Sequence, residues 1–131
     1  MKQKKILLVD DEPDSIEYLQ TVLEDHDYQV ITARSTTEGM RLIREERPDL
    51  VCLDILMPEE SGISLYQRLK GDPAFQEIPI FISSALSIAK DLGKIGYRTL
   101  KDGTVIPAPE GVIEKPIDVG RLIRILEEMF A

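Results

Sequence analysis

The sequence predicts an α/β domain built on a parallel sheet with helices on both faces. Three observations lead there. Ile6-Leu7-Leu8-Val9 and Leu50-Val51-Cys52-Leu53 are short, unbroken apolar runs, the mark of strands buried on both sides. Segments with apolar residues at helical spacing alternate with such runs along the chain, as the crossover units of a parallel sheet require. The 131 residues, 43% apolar and 31% charged, suit one domain and leave little room for a second. A chain of this size buries about two-thirds of its unfolded surface and needs no disulfide or metal to fold.

The elements follow in order. The first strand, Ile6–Val9, stops at Asp10-Asp11-Glu12-Pro13. Ile16, Leu19, Val22 and Leu23 then recur at helical spacing to about Asp25. Pro13 and Asp14 suit that helix start, where proline and acidic side chains are favoured. Gln29–Ala33 reads as a second strand. Ser35 or Thr36 can cap a helix to Glu46 with Met40 and Ile43 inward, closed by Pro48. The third strand, Leu50–Leu53, ends in Asp54, and Met57–Gly62 is a loop. A helix from Gly62 to Lys70 presents Ile63, Leu65 and Leu69. Ile80-Phe81-Ile82 is the fourth strand, ending at Ser83-Ser84, and Val112-Ile113 is a short fifth, ending at Lys115-Pro116. Asp118 caps a last helix with Val119, Leu122, Ile123, Leu126 and Phe130 on one stripe.

The stretch between Ser84 and Lys115 is too long for one helix and two turns. Ser87–Leu92 suits a short helix. Tyr97–Leu100 and Thr104–Ile106 flank Lys101-Asp102-Gly103, the pattern of a hairpin with an Asp-Gly turn. Pro107-Ala108-Pro109 is stiff and extended.

Composition excludes several roles. Lys+Arg 16 against Asp+Glu 24 gives a net charge of −8, which disfavours nucleic-acid backbones and anionic lipid as partners. Cys52 is the single cysteine, so no internal disulfide or multi-cysteine zinc site exists. It lies in an apolar run and reads as a small buried side chain. No apolar stretch approaches the roughly 18–20 residues of a membrane span, and the N-terminus lacks the apolar length of a signal peptide. These features indicate a cytoplasmic protein.

Polar residues collect just past the strands: Asp10 and Asp11 after the first, Asp54 after the third, Ser84 after the fourth and Lys115 after the fifth. In an open parallel sheet these carboxyl ends form one edge, where ligands bind. Three carboxylates brought together repel, and a hard cation such as Mg²⁺ relieves that repulsion with an all-oxygen ligand set. A carboxylate can also act as a nucleophile toward phosphorus, giving an aspartyl phosphate. Phosphoryl transfer needs neutralised equatorial oxygens and in-line placement, and a cation with a lysine supplies the former. Each piece alone is weak: Asp10-Asp11 could be a helix-capping turn, and Asp54 a turn residue before Met57-Pro58. His26, in Asp25-His26-Asp27, reads as a surface turn residue, and Glu45-Glu46 and Glu127-Glu128 as solvated helix faces.

Val9-Asp10-Asp11-Glu12, Leu53–Gly62, Ile82-Ser83-Ser84-Ala85 and Glu114-Lys115-Pro116 together resemble the four signature segments of bacterial two-component response-regulator receiver domains. The resemblance runs nearly the whole chain in order. It implies a flavodoxin-like five-stranded sheet of order 2-1-3-4-5 and a single receiver domain over 1–131, with 93–111 as a hairpin or loop insertion. It implies that Asp54 is the phosphoacceptor. It also implies that Asp11, Asp54 and the backbone carbonyl of Leu56 bind Mg²⁺, with Asp10 acting through water. Ser84 matches the switch hydroxyl and Lys115 the phosphoryl contact, with a cis Lys115-Pro116 bond. The implied donor is a sensor histidine kinase or a phosphorelay phosphotransfer protein, and the output a protein contact with an unidentified target. No separate substrate turnover is implied.

The chain departs from the family in three ways. Val112 stands where receivers usually carry an aromatic residue three before the lysine. The Ser84–Lys115 stretch is long and covers the surface most receivers use for output or dimerisation. Leu56 and Leu86, flanking the phosphoryl position, cannot orient a water by hydrogen bonding, so self-dephosphorylation is expected to be slow. Two other readings compete: a degenerate receiver acting as a phosphorylation-independent binding module, and a phosphohydrolase of the haloacid dehalogenase type. The latter needs Asp-x-Asp after its first strand and a cap domain, whereas position 56 is Leu56. Met1 and the compact ending favour a stand-alone receiver over a piece of a longer protein.

Overall fold

The computed structural model describes residues 3–55, 62–85, 98–115 and 117–131, with Ser84 and Ala85 by their backbone. Five strands and four helices lie among them: β1 (Lys5–Val9), α1 (Pro13–Asp25), β2 (Gln29–Ala33), α2 (Thr36–Glu46), β3 (Leu50–Asp54), α3 (Gly62–Lys70), β4 (Ile80–Ala85), β5 (Gly111–Lys115) and α4 (Val119–Met129). All strand pairs are parallel and the order is β2-β1-β3-β4-β5.

The unbroken apolar runs serve two cores, because successive side chains of a strand point to opposite faces. Leu7, Val9, Val51 and Leu53 point into one cluster with Met40 and Ile43 of α2 and Leu65, Tyr66 and Leu69 of α3. Ile6, Leu8, Leu50 and Cys52 point into the other with Leu19 and Leu23 of α1 and Leu122, Ile123 and Leu126 of α4. Each fully buried side chain of this kind contributes about 1.5–3 kcal/mol. Burial pushes the Cys52 thiol up to about 12, so it stays a neutral packing group.

Helix starts behave as read. Pro13 opens α1. The Ser35 hydroxyl accepts from the Glu38 N–H at 3.1 Å, and Asp118 accepts from the Arg121 N–H at 3.1 Å. The strands differ from expectation at the sheet margin. β5 is five residues long rather than Val112-Ile113, because Gly111, Glu114 and Lys115 also pair in register with β4. It alternates between half-buried and exposed side chains, so Gly111 and the charged residues hid it from an apolar-run reading. β4 likewise runs on through Ala85.

Residues 98–110 form a structured return. Thr99 and Val105 make an antiparallel bridge, flanked by Leu100 N–H to Thr104 O at 2.8 Å and Ile106 N–H to Arg98 O at 2.7 Å. Gly103 closes the turn at φ +88°, a left-handed conformation that glycine adopts without steric cost. The helix expected over Ser87–Leu92, and Tyr97, lie outside the described residues.

Candidate functional site

The strand order reverses between β1 and β3: β1 leads outward to β2 through α1, and the chain then crosses to β3 through α2 on the other face. Such a switch point opens a crevice at the carboxyl ends of the two strands. Asp10 and Asp11 follow β1, and Asp54 ends β3, so they flank that crevice. Carboxylate oxygens of all three lie within 4.8 Å of one another.

Asp10 and Asp54 are held by their surroundings. The Asp10 N–H donates to Ala33 O at 3.0 Å, extending the β1–β2 ladder by one rung. Its Oδ1 accepts from the Glu12 N–H at 3.0 Å, which turns the chain into α1. Its Oδ2 accepts from Lys115 Nζ at 3.0 Å. Lys115 Nζ also donates to Asp54 Oδ2 at 3.2 Å. Asp10 and Asp54 are buried and Asp11 is half-buried.

Burial alone would lower the Lys115 pKa, but hydrogen bonds and charge from Asp10, then Asp54, outweigh it and hold it above the usual lysine value. One ammonium does not balance three carboxylates, so the crevice favours a further cation. Oxygens around a hard cation sit roughly 2.0–2.1 Å from it, so opposite ligands lie about 4.2 Å apart. The observed 4.8 Å limit is within a small side-chain adjustment of that, and the residues fit such an ion.

Ser84 joins this edge by its backbone, since β4 pairs Asp54 with Ser83 and then Ser84 with Glu114, next to Lys115. The Leu56 carbonyl, Leu86 and Pro116 lie outside the described residues. An open groove of about 680 Å³ adjoins the crevice, lined by Glu12, Tyr18, Leu19, Lys115, Ile117 and Val119. It passes between α1 and the start of α4. Val112 is 43% exposed.

Gly62, which sequence reading placed at the end of a loop and the start of a helix without giving it a role in the site, positions the site. A Cβ built there would overlap the Asp54 carbonyl oxygen and lie 2.7 Å from Cα of Ile55, so only glycine lets α3 start against the end of β3. The signal for it was present: a glycine between a strand-end aspartate and an apolar helical stripe marks close backbone approach.

A parallel five-stranded sheet with an acidic crevice at its switch point and a lysine reaching in from β5 defines a receiver-type phosphoacceptor fold. Residues 6–127 match the response regulator receiver domain family, and the chain belongs to it. It is 31% identical over 124 residues to the polar-differentiation response regulator DivK of Brucella anthropi, covering 95% of this chain and 94% of that protein. Among solved structures it resembles the signal receiver domain of a signal transduction histidine kinase from Syntrophus aciditrophicus (TM-score 0.79, 30% identity, 95% and 88% of the two chains). It shares its fold with the chemotaxis response regulator CheY4 of Vibrio cholerae (TM-score 0.77, 21% identity, 97% and 98%). The protein is thus a receiver of the response-regulator class, a phosphoacceptor signalling domain, and the haloacid dehalogenase reading is not favoured. Among the described residues no helix is long and apolar enough to cross a membrane.

Proposed function

We propose that Asp54 accepts a phosphoryl group from the phosphohistidine of a sensor histidine kinase or phosphotransfer protein. The observation that carries this reading is a buried carboxylate held by Lys115 at 3.2 Å inside a three-aspartate crevice. An Asp54 carboxylate oxygen bonds to phosphorus as the histidine N–P bond breaks, and the departing imidazole takes up a proton. Asp11, Asp54 and the Leu56 carbonyl, with Asp10 through water, would hold Mg²⁺, which would supply charge neutralisation on the phosphoryl oxygens.

Lys115 already touches the reacting carboxylate, so it stabilises the charge gathering on the transferred group with little rearrangement. The Ser84 hydroxyl then binds a phosphoryl oxygen and carries the change into the chain after β4, a two-state response to a local charge event. The groove along α1 gives the donor histidine an approach that reaches Lys115 directly. The family's aromatic partner to this movement is replaced by the exposed Val112, so the response runs through other contacts. The protein acts in the cytoplasm by binding a protein target and turns over no separate substrate.

The test is incubation with a small acyl-phosphate donor and Mg²⁺, read by intact mass. One added phosphoryl group is expected in the wild type, and none after Asp54→Asn or with a chelator. Labelling that survives Asp54→Asn, or no labelling at all, would overturn the proposal and favour a binding module that works without phosphorylation.

A further inference from the structure

A second polar cluster lies at the far end of α3 from the acidic crevice. Lys70 is 3% exposed, and its ammonium donates to Glu110 Oε1 at 2.7 Å and Oε2 at 3.0 Å. It also donates to the carbonyls of Gln76 at 3.4 Å and Ile78 at 3.3 Å. Glu110 Oε1 in turn accepts from the Ile80 N–H at 2.7 Å, and the Glu110 N–H donates to Ile80 O at 3.0 Å. One ion pair, its lysine buried and its glutamate partly exposed, therefore joins the end of α3, the turn before β4, the start of β4 and the lead into β5. A buried lysine is strongly penalised unless paired and hydrogen-bonded, and here its partners come from two segments, the turn before β4 and the lead into β5.

One helical turn earlier on the same face, the Tyr66 hydroxyl donates to the Pro107 carbonyl. Ile106 is buried in the same cluster as Tyr66 and Leu69, with Leu100 packed against it. Leu100 also lies over Gly71, just past the helix, where an added Cβ would approach Leu100 Cδ1 to 3.4 Å. α3 thus grips the 98–110 return at three successive points. Its other end, about 13 Å away for nine residues, begins at Gly62 against the Asp54 carbonyl, and the Gly62 N–H donates to Ile55 O at 3.3 Å.

We infer that α3 couples the state of Asp54 to the 98–110 hairpin, with Lys70–Glu110 and Tyr66–Pro107 as the latch that makes the hairpin follow the helix. The inference rests on the phosphoacceptor reading and adds a route for its output. The start of α3 is packed too tightly against the end of β3 for the Asp54 backbone to shift without it. A packed helix moves as a unit, so a displacement at Gly62 is delivered at Lys70. The hairpin is the surface that reports it.

The test is amide hydrogen exchange across 98–110, with beryllofluoride and Mg²⁺ as the phosphoryl mimic and fluorine NMR on the same sample to count bound mimic. In the wild type, bound mimic should change exchange at Leu100, Gly103, Ile106 and Glu110 by at least about fivefold, the low end of ordinary coupling. Lys70→Met should still bind the mimic and lose that change. Glu110→Gln keeps an oxygen for the Ile80 N–H, and should also lose it if Lys70→Met does not fold. Bound mimic with unchanged wild-type exchange, or a full response in a folded latch variant, overturns the coupling alone. Absence of bound mimic overturns the phosphoacceptor reading and the coupling together.

Discussion

Lys115 touches Asp10 and Asp54 at once, 3.0 and 3.2 Å away, and so acts as an internal counter-ion for the crevice. Its pKa is raised because those two carboxylates outweigh its burial. A raised lysine pKa stabilises the fold fully below the unfolded value and fades as pH climbs through the folded one. In divalent-free buffer, Lys115→Met should therefore cost about 1–3 kcal/mol near neutral pH, less than a wholly buried pair because the side chain is 23% exposed. The gap to wild type should hold below the ordinary lysine value of 10.5 and close above it. Urea titrations across that range check this, and a gap that widened at high pH would contradict it. Cys52 shows the opposite case: a nucleophilic residue whose burial leaves it no chemistry to do.

At the scale of elements, the join between β3 and α3 is the tightest fit in the site. Gly62→Ala puts a methyl group against the Asp54 carbonyl and Ile55 Cα. Backbone cannot yield there as a flexible side chain would, so the expected cost is about 2–4 kcal/mol, seen as a lowered thermal midpoint with less metal affinity. An unchanged midpoint would show that α3 starts elsewhere. Helices and inner strands were legible because local patterns specify them: 3.6-residue stripes in α1, α2 and α4, and four-residue apolar runs in β1 and β3. β5 was only partly legible, since Gly111, Glu114 and Lys115 become strand by pairing with β4, which is information held in another segment. Lys70 was illegible for the same reason. A lysine at a helix end reads as solvated, and what buries it is a glutamate forty positions later.

For the whole molecule, the sheet order does the assembling. Residues forty-four and one hundred and five positions from Asp10, Asp54 and Lys115, meet it because parallel strands bring their carboxyl ends to one edge. For Asp10, Asp11, Asp54 and Lys115 that convergence was legible: carboxylates and an ammonium followed apolar runs that had no structural need of them. The docking of 98–110 on α3 was not, since the Asp-Gly turn announced a hairpin without saying where its Ile106 and Leu100 would pack. The net charge of −8 belongs to this scale too. It disfavours phosphate backbones as partners, and the clustered carboxylates of the crevice fit a small cation.

Of the three clustered aspartates, Asp54 is expected to be the one that reacts. Trapping by borohydride after treatment with an acyl-phosphate donor and Mg²⁺, followed by peptide mass mapping, tests it most directly, because reduction turns an aspartyl phosphate into homoserine. Homoserine is expected at position 54 alone, in a Mg²⁺-dependent yield. Homoserine at position 10 or 11, or none at 54 while the protein gains phosphate, would contradict it.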